Sequence, residues 1–155
     1  MPHDQRIAKL SGQPFGEAYF EKLLRDEDAM LDSDPPIAAI MVADRMAGSG
    51  LEMLSRVQTA HYVHGRRISE RSTLVDIAKS LGLDEQVFGK LLDQTLIDGL
   101  QSHLAEALRL LTIVGRRGYP TFILERDGDL QQVDSASYLG KSEQWVEHLR
   151  GLVSA

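Results

Sequence analysis

The sequence predicts a helix-rich α+β fold, and three observations carry that expectation. Apolar residues recur at three- and four-residue spacing from Phe15 to Leu111, the signature of amphipathic helices. Strand character is confined to one late stretch, GRRGYPTFILERDGDLQQV, Gly115 to Val133. None of the 155 residues is cysteine, which excludes intrachain disulfides, thiolate metal ligands and a cysteine nucleophile. A chain of this length, expected to form a single domain over 1–155, buries about 70% of its unfolded surface and needs no covalent staple.

The elements follow in order. Pro14-Phe15 opens a segment in which Phe15, Tyr19, Leu23 and Leu24 fall near helical spacing, ending at the acidic Asp26-Glu27-Asp28. Asp34-Pro35-Pro36 reads as a helix start, with Asp34 as the cap and Ile37, Ile40 and Met41 on the apolar side. Gly48-Ser49-Gly50 breaks it, and Leu51, Leu54, Val57, Ala60 and His61 form the next stripe, up to Gly65. Leu74, Ile77, Ala78 and Leu81 define a short helix stopped by Gly82; Asp84 caps another with Val87, Phe88, Leu91 and Leu92. A longer run continues through Leu96, Leu100, Leu104, Leu108 and Leu111 and fades at Thr112-Ile113-Val114.

Phe122-Ile123-Leu124 is apolar without alternation, which implies cover on both faces, whereas Leu130 to Val133 is mixed and suits an edge. Asp127-Gly128 supplies the positive backbone angles of a tight hairpin turn. Two strands make a poor sheet alone, so the hairpin is expected to belong to something larger. Pro120 at the mouth of a strand needs a reason, and a cis Tyr119-Pro120 bond is the expected one. Gly140-Lys141-Ser142 introduces a last helix with Trp145, Val146, Leu149, Leu152 and Val153 facing inward.

Charge and motifs narrow the function classes. Lys plus Arg number 17 against 23 Asp plus Glu, a net charge of −6, so no basic field favours nucleic acid. No secretory leader or membrane-length apolar run is visible, and the expectation is a soluble, cytoplasmic protein without membrane partners. There is no G-x-S-x-G elbow, P-loop or dinucleotide glycine signature. Leu74 to Leu91 has a helix-turn-helix pattern, the rival reading from another class. Its second helix carries Asp84, Glu85 and Asp93 against Lys90, the wrong sign for phosphate, so an ordinary αα-hairpin is favoured. His61 and His64 lie three apart but lack a third ligand at a supporting spacing, so no metal site is expected. Arg66, Arg67 and Arg71, and Arg116 with Arg117, read as helix-end and surface charges.

A helical region followed by G-Y-P-T-F-I-L, a hairpin, Y-L-G and a terminal helix resembles the C-terminal part of the DsbA-like branch of the thioredoxin superfamily. The segments HDQRIAKLSGQPFGEAYF, DSDPPIAAI and VQTAHYVHGRRI extend the resemblance to FrnE-like protein-disulfide isomerases over nearly the whole chain. The resemblance implies a helical insertion at about 14–113 and a partial thioredoxin-like hairpin and helix at about 114–155. It also implies that Pro120 is the family's cis-proline, with Tyr119 before it and Thr121 after it forming the strip that contacts a protein or peptide substrate. Such proteins begin with a strand, a Cys-x-x-Cys helix and a second strand, and this sequence starts after all three. With no thiolate, the chain is expected to have no catalytic residue, no cofactor and no redox activity of its own. Two explanations stay open: a shortened form of a longer redox protein, or a relative that kept the scaffold and lost the reaction. A binding module that holds a peptide or partner without chemistry is the alternative function. The strand after Pro120 would lack its neighbour, so a homodimer that buries this edge is also expected.

Overall fold

The computed structural model describes residues 2–115, 118 and 120–154, with eight α-helices and one two-stranded sheet among them. The chain forms two compact units, residues 14–103 and residues 1–13 with 104–155.

The first unit is wholly helical. Helix α2 (Glu17–Glu21) tightens into a 3-10 turn at Leu23–Arg25, so the helix expected up to the acidic stretch is shorter than the apolar spacing suggests. Its last turn places Tyr19 and Leu23 in the interior. Helix α3 (Asp34–Ala47) starts one residue earlier than an Asp34 cap would require. Asp34 lies inside its first turn with Pro35 and Pro36, and the Asp32 carboxylate accepts the Asp34 amide at 3.0 Å. Gly48, at φ 64°, closes the helix by donating to the Ala43 and Asp44 carbonyls. Helix α4 (Gly50–Gln58) runs into a π turn at Thr59–Val63. Helix α5 (Arg71–Ser80) and helix α6 (Glu85–Gln94) form the αα-hairpin; Asp84 caps α6 by accepting from the Gln86 and Val87 amides, both at 2.9 Å. A second π turn, Thr95–Gly99, joins α6 to α7 (Leu100–Ile113).

One core ties α3 to α6 together: Ala38, Ala39, Val42, Ala43, Met53, Val57, Leu74, Ile77, Ala78, Phe88 and Leu92 are buried. The alanines of α3 allow close approach, and Phe88 fills the space they leave. Met53, not Leu51, carries the α4 stripe inward, and Leu51 is 84% exposed. The Gly48 turn sets the phase of α4, and the apolar spacing alone does not reveal that phase. Val87 also lies outside the core, half exposed beside Phe88.

The second unit is thinner. It begins with helix α1 (Pro2–Ser11), a helix the sequence pattern does not announce, with Asp4 in its first turn and Lys9 in its last, as the helix dipole favours. Strands β1 (Phe122–Arg126) and β2 (Asp129–Val133) pair antiparallel, Phe122 opposite Val133 and Arg126 opposite Asp129. Asp127 (φ 51°) and Gly128 (φ 88°) both take positive φ, the tight turn expected of Asp-Gly. Helix α8 (Ser142–Ser154) packs Trp145 edge-on against Phe122, ring centres 5.3 Å apart, while Tyr138 stacks on His148 at 4.9 Å. Gly140 (φ 75°) lies where a Cβ would meet the Leu10 carbonyl at 2.8 Å, a physical reason for glycine in the Y-L-G segment.

Here the expected burial fails in several places. Phe122 is 44% exposed, so β1 is not covered on both faces. Val146 and Val153 of α8 face outward, and Leu108 of α7 is 59% exposed. The sheet has only two strands among the described residues, so it offers the face of α8 no third strand.

Candidate substrate-contact site

Two of the concave places among the described residues are chemically distinct. The first is the stretch singled out by sequence. Pro120 is exposed, and the Thr121 hydroxyl donates to the Gly118 carbonyl at 2.7 Å, closing a small turn before β1. Tyr119, and with it the geometry of the Tyr119-Pro120 bond, lies outside the described residues, as do Arg116 and Arg117. Pro120 and Thr121 line an open depression of about 300 Å³ with Gly118, Phe122, Val133 and Asp134 at the free end of the hairpin. The Asp134 carboxylate accepts from the Ala136 amide at 3.0 Å and the Ser137 hydroxyl at 2.5 Å, fixing the segment that leaves β2. The polar groups here are backbone amides and carbonyls, hydroxyls, the Gln132 side-chain amide and the Asp134 carboxylate. They suit hydrogen bonding to an extended chain, and nothing in the depression is a thiol.

The second place lies in the helical unit and was not singled out from the sequence as a site. A cavity of about 410 Å³ is lined by residues of α2, α3 and the π turn, among them Tyr19, Ile37, Ile40, His61 and Tyr62. The π turn explains why His61 and His64 part company: in the wider turn a three-residue spacing no longer stacks, and His61 is half-buried while His64 is exposed. His61 meets Tyr62 at 4.7 Å and Tyr19 at 5.3 Å between ring centres, both edge-on. Burial pushes its imidazole below the ordinary 6.5, an effect partly opposed by the Arg66 backbone. Two glycines permit this packing. The Gly16 amide donates to the Tyr62 carbonyl at 2.8 Å, and a Cβ on Gly16 would fall on the Val63 carbonyl oxygen. A Cβ on Gly65, at φ 60°, would likewise clash with the Ala18 carbonyl.

The arginine cluster resolves into ion pairs. Arg66 holds Asp76 at 2.8 Å, Arg67 holds Asp26 and reaches Glu70 at 3.3 Å, and Arg71 grips Asp93 through two bonds of 2.8 and 3.0 Å. Arg67 holds the Asp26 carboxyl below its usual range. These guanidinium groups already have carboxylate partners, so the cluster is a set of surface ties between segments. Among the described residues, no three His, Asp or Glu side chains converge as metal ligands, and no helix is long and apolar enough to cross a membrane.

The backbone is similar to that of the cytosolic disulfide reductase DsbM from Pseudomonas aeruginosa. The TM-score is 0.95 with 47% identity, covering 99% of this chain and 75% of that chain. The structure of DsbM with GSH gives 0.94 and 45%, covering 100% of this chain and 75% of that one. A protein from Nitrosomonas europaea assigned as a disulfide isomerase shares the fold, with a TM-score of 0.73 and 18% identity over 94% of this chain and 71% of that chain. No family model matches the chain, and no curated protein sequence does.

Proposed function

The chain belongs to the DsbA-like branch of the thioredoxin superfamily, and from that premise we propose that its residues form the helical and substrate-contacting part of a cytosolic disulfide reductase. The observation that carries this reading is 47% identity over 99% of the chain to an enzyme of that activity. In this reading Tyr119, Pro120 and Thr121 present the hydrogen-bonding strip to a protein or peptide disulfide, or to a glutathione-class thiol. The thiolate must come from outside these residues, because the 155 include no cysteine and exchange begins with thiolate attack on sulfur. The chain is therefore redox-inactive by itself.

Insulin reduction with glutathione as reductant tests both halves of the proposal. The chain should give no turnover above buffer. A chimera that joins the Cys-x-x-Cys half of a DsbA-like relative ahead of Met1 should reduce insulin, and Thr121→Arg in that chimera should lower the rate. Turnover by the cysteine-free chain, or a folded chimera that stays inert, would overturn it.

A second reading, a non-catalytic module that pairs with its own copy, is favoured by the hairpin. The outer edge of β1 has no strand partner among the described residues, and Phe122 beside it is exposed. Light scattering at micromolar concentration should show a dimer that Ile123→Lys disperses. A monomer whose Phe122 and Leu124 amides are strongly protected from exchange would sink this reading.

A further inference from the structure

The segment from Asp26 to Ser33, which leads from the 3-10 turn to α3, is a strap that keeps two large apolar side chains in water. Met30 and Leu31 are 70% and 68% exposed. Both line the open cavity of about 410 Å³, together with Ile37, Ile40, Leu54 and Tyr62. The strap is tied down at several points: Arg67 pairs with Asp26, the Asp26 carboxylate accepts the Asp28 amide at 3.1 Å, and the Ser69 hydroxyl donates to the Met30 carbonyl at 2.7 Å. A tethered backbone with apolar side chains beside an apolar concavity makes a preformed rim for an interaction.

Charge specifies the partner. Residues 26–34 hold five carboxylates, Asp26, Glu27, Asp28, Asp32 and Asp34, and no lysine or arginine. Elsewhere in the helical unit, carboxylates such as Asp76, Glu85 and Asp93 each hold a cation. On the strap, among the described residues, Asp26 alone does so. Asp32 and Asp34 have a local reason at the start of α3, where the helix dipole favours them and the Asp32 carboxylate accepts the Asp34 amide. Glu27 and Asp28 have no such reason: both are exposed, and they follow the end of a helical turn, where negative charge gains nothing from the dipole. Arg67, the one arginine in the cavity lining, is already neutralised by Asp26 and Glu70. The groove is therefore apolar within and acidic along the strap, a field that attracts basic groups and repels acidic ones.

We propose that this groove docks a segment of another protein in which large apolar side chains are flanked by lysine or arginine. The apolar side chains enter against Met30, Leu31, Ile37 and Tyr62, and the basic residues lie along Glu27, Asp28 and Asp32. The surface belongs to the helical unit alone and does not depend on the disulfide-reductase reading or on the Pro120 strip.

The test uses the whole chain and the blocked peptide Lys-Arg-Leu-Phe-Lys-Arg, with two controls: glutamate in place of every basic residue, and alanine in place of Leu and Phe. Titration followed by ¹⁵N–¹H NMR should show saturable shifts at the amides of Leu31, Ile37, Ile40 and Tyr62, with each control binding about tenfold more weakly or worse. Raising salt from about 0.01 M to about 0.15 M, which shortens the screening length from about 30 Å to about 8 Å, should weaken the basic peptide several-fold. Met30→Ser combined with Leu31→Ser changes only exposed side chains, so the urea midpoint should hold while affinity falls about tenfold. Glu27→Gln combined with Asp28→Asn should lower affinity and flatten the salt dependence, which a loss of apolar packing would not do. Equal binding of the glutamate peptide would overturn the proposal and leave a groove without charge preference. Equal binding of the alanine peptide would overturn it too, reducing the effect to general attraction toward a chain of net charge −6. Shifts confined to other parts of the chain, or none at millimolar peptide, would overturn it equally.

Discussion

The two units of this chain solve the same packing problem with different success. In residues 14–103, four helices bury Phe88, Met53, Leu74 and Leu92 completely around the small residues of α3. In the other unit the buried hydrophobics among the described residues are Leu111 and Val133, and α8 has no fully buried residue at all. Its aromatic contacts, Phe122 on Trp145 and Tyr138 on His148, are half-open. An α-helical bundle closes its own core, whereas a two-stranded hairpin has one face and one edge that only further structure can cover. The comparison teaches where the chain depends on something beyond these contacts: the hairpin unit, which also carries Pro120 and Thr121 of the proposed substrate strip.

The largest expected effect is from excision. Residues 14–103 expressed alone should give a helical spectrum and a cooperative urea transition, and residues 104–155 alone should give neither. A hairpin fragment with its own cooperative transition would break the comparison outright. Next comes Phe88→Ala, which should cost about 3–5 kcal/mol, because the ring is fully enclosed and the alanines around it cannot collapse inward. Val133→Ala in the hairpin should cost far less, since its surroundings are already open. Chemical denaturation of both variants, with the slope held constant, measures the ratio.

Gly16→Ala should follow, at about 1–3 kcal/mol, because the added carbon meets the Val63 backbone, which cannot turn aside. Gly89→Ala is the control. There the added carbon meets only the Arg71 guanidinium, a movable end, and the helix gains from losing a glycine, so the change should be near neutral. If the two variants melt alike, the close approach of α2 to the π turn is not what holds the aromatic cluster.

The sequence reveals most of this where periodicity and punctuation agree. Asp84, Gly48 and the Asp127-Gly128 turn stand where local chemistry requires them, and Phe88 with Leu92 repeats at the spacing of a buried helix face. Leu51 and Leu108 mislead because an apolar residue beside a stripe looks the same whether or not something covers it. The Phe122 to Leu124 run is apolar enough for a covered strand, yet these contacts leave it half-open. The resemblance around Pro120 is what motivates the proposed substrate strip, and the contacts around Pro120 and Thr121 add only a small turn and an open depression. The cavity beside His61 stays hidden, because it depends on a π turn that no spacing rule anticipates and on Tyr19 and Tyr62 converging from segments far apart in the chain. Phe15, Tyr19, Phe20, His61 and Tyr62 were the available signal: two aromatic clusters, each next to a glycine that lets backbones touch.

The smallest effect expected is a dependence on pH that belongs to the helical unit alone. Burial holds His61 below 6.5 in the folded chain, so as pH falls the unfolded chain takes up that proton first. Over the interval from 6.5 down to the folded value the unfolded state binds more protons, and stability therefore falls with acid, the full loss being reached below the folded value. Asp26 acts in the same direction further down. Arg67 holds it below 3.8, so its contribution is present above 3.8 and is lost as pH falls through the folded value. The two windows do not overlap at their upper ends. Urea midpoints measured between about pH 8 and 5 should decline gently in the unaltered chain and flatten in His61→Phe, while Asp26→Asn should leave that upper window unchanged. A decline that persists in His61→Phe would place the responsible group elsewhere and remove the imidazole from the interior of the helical unit.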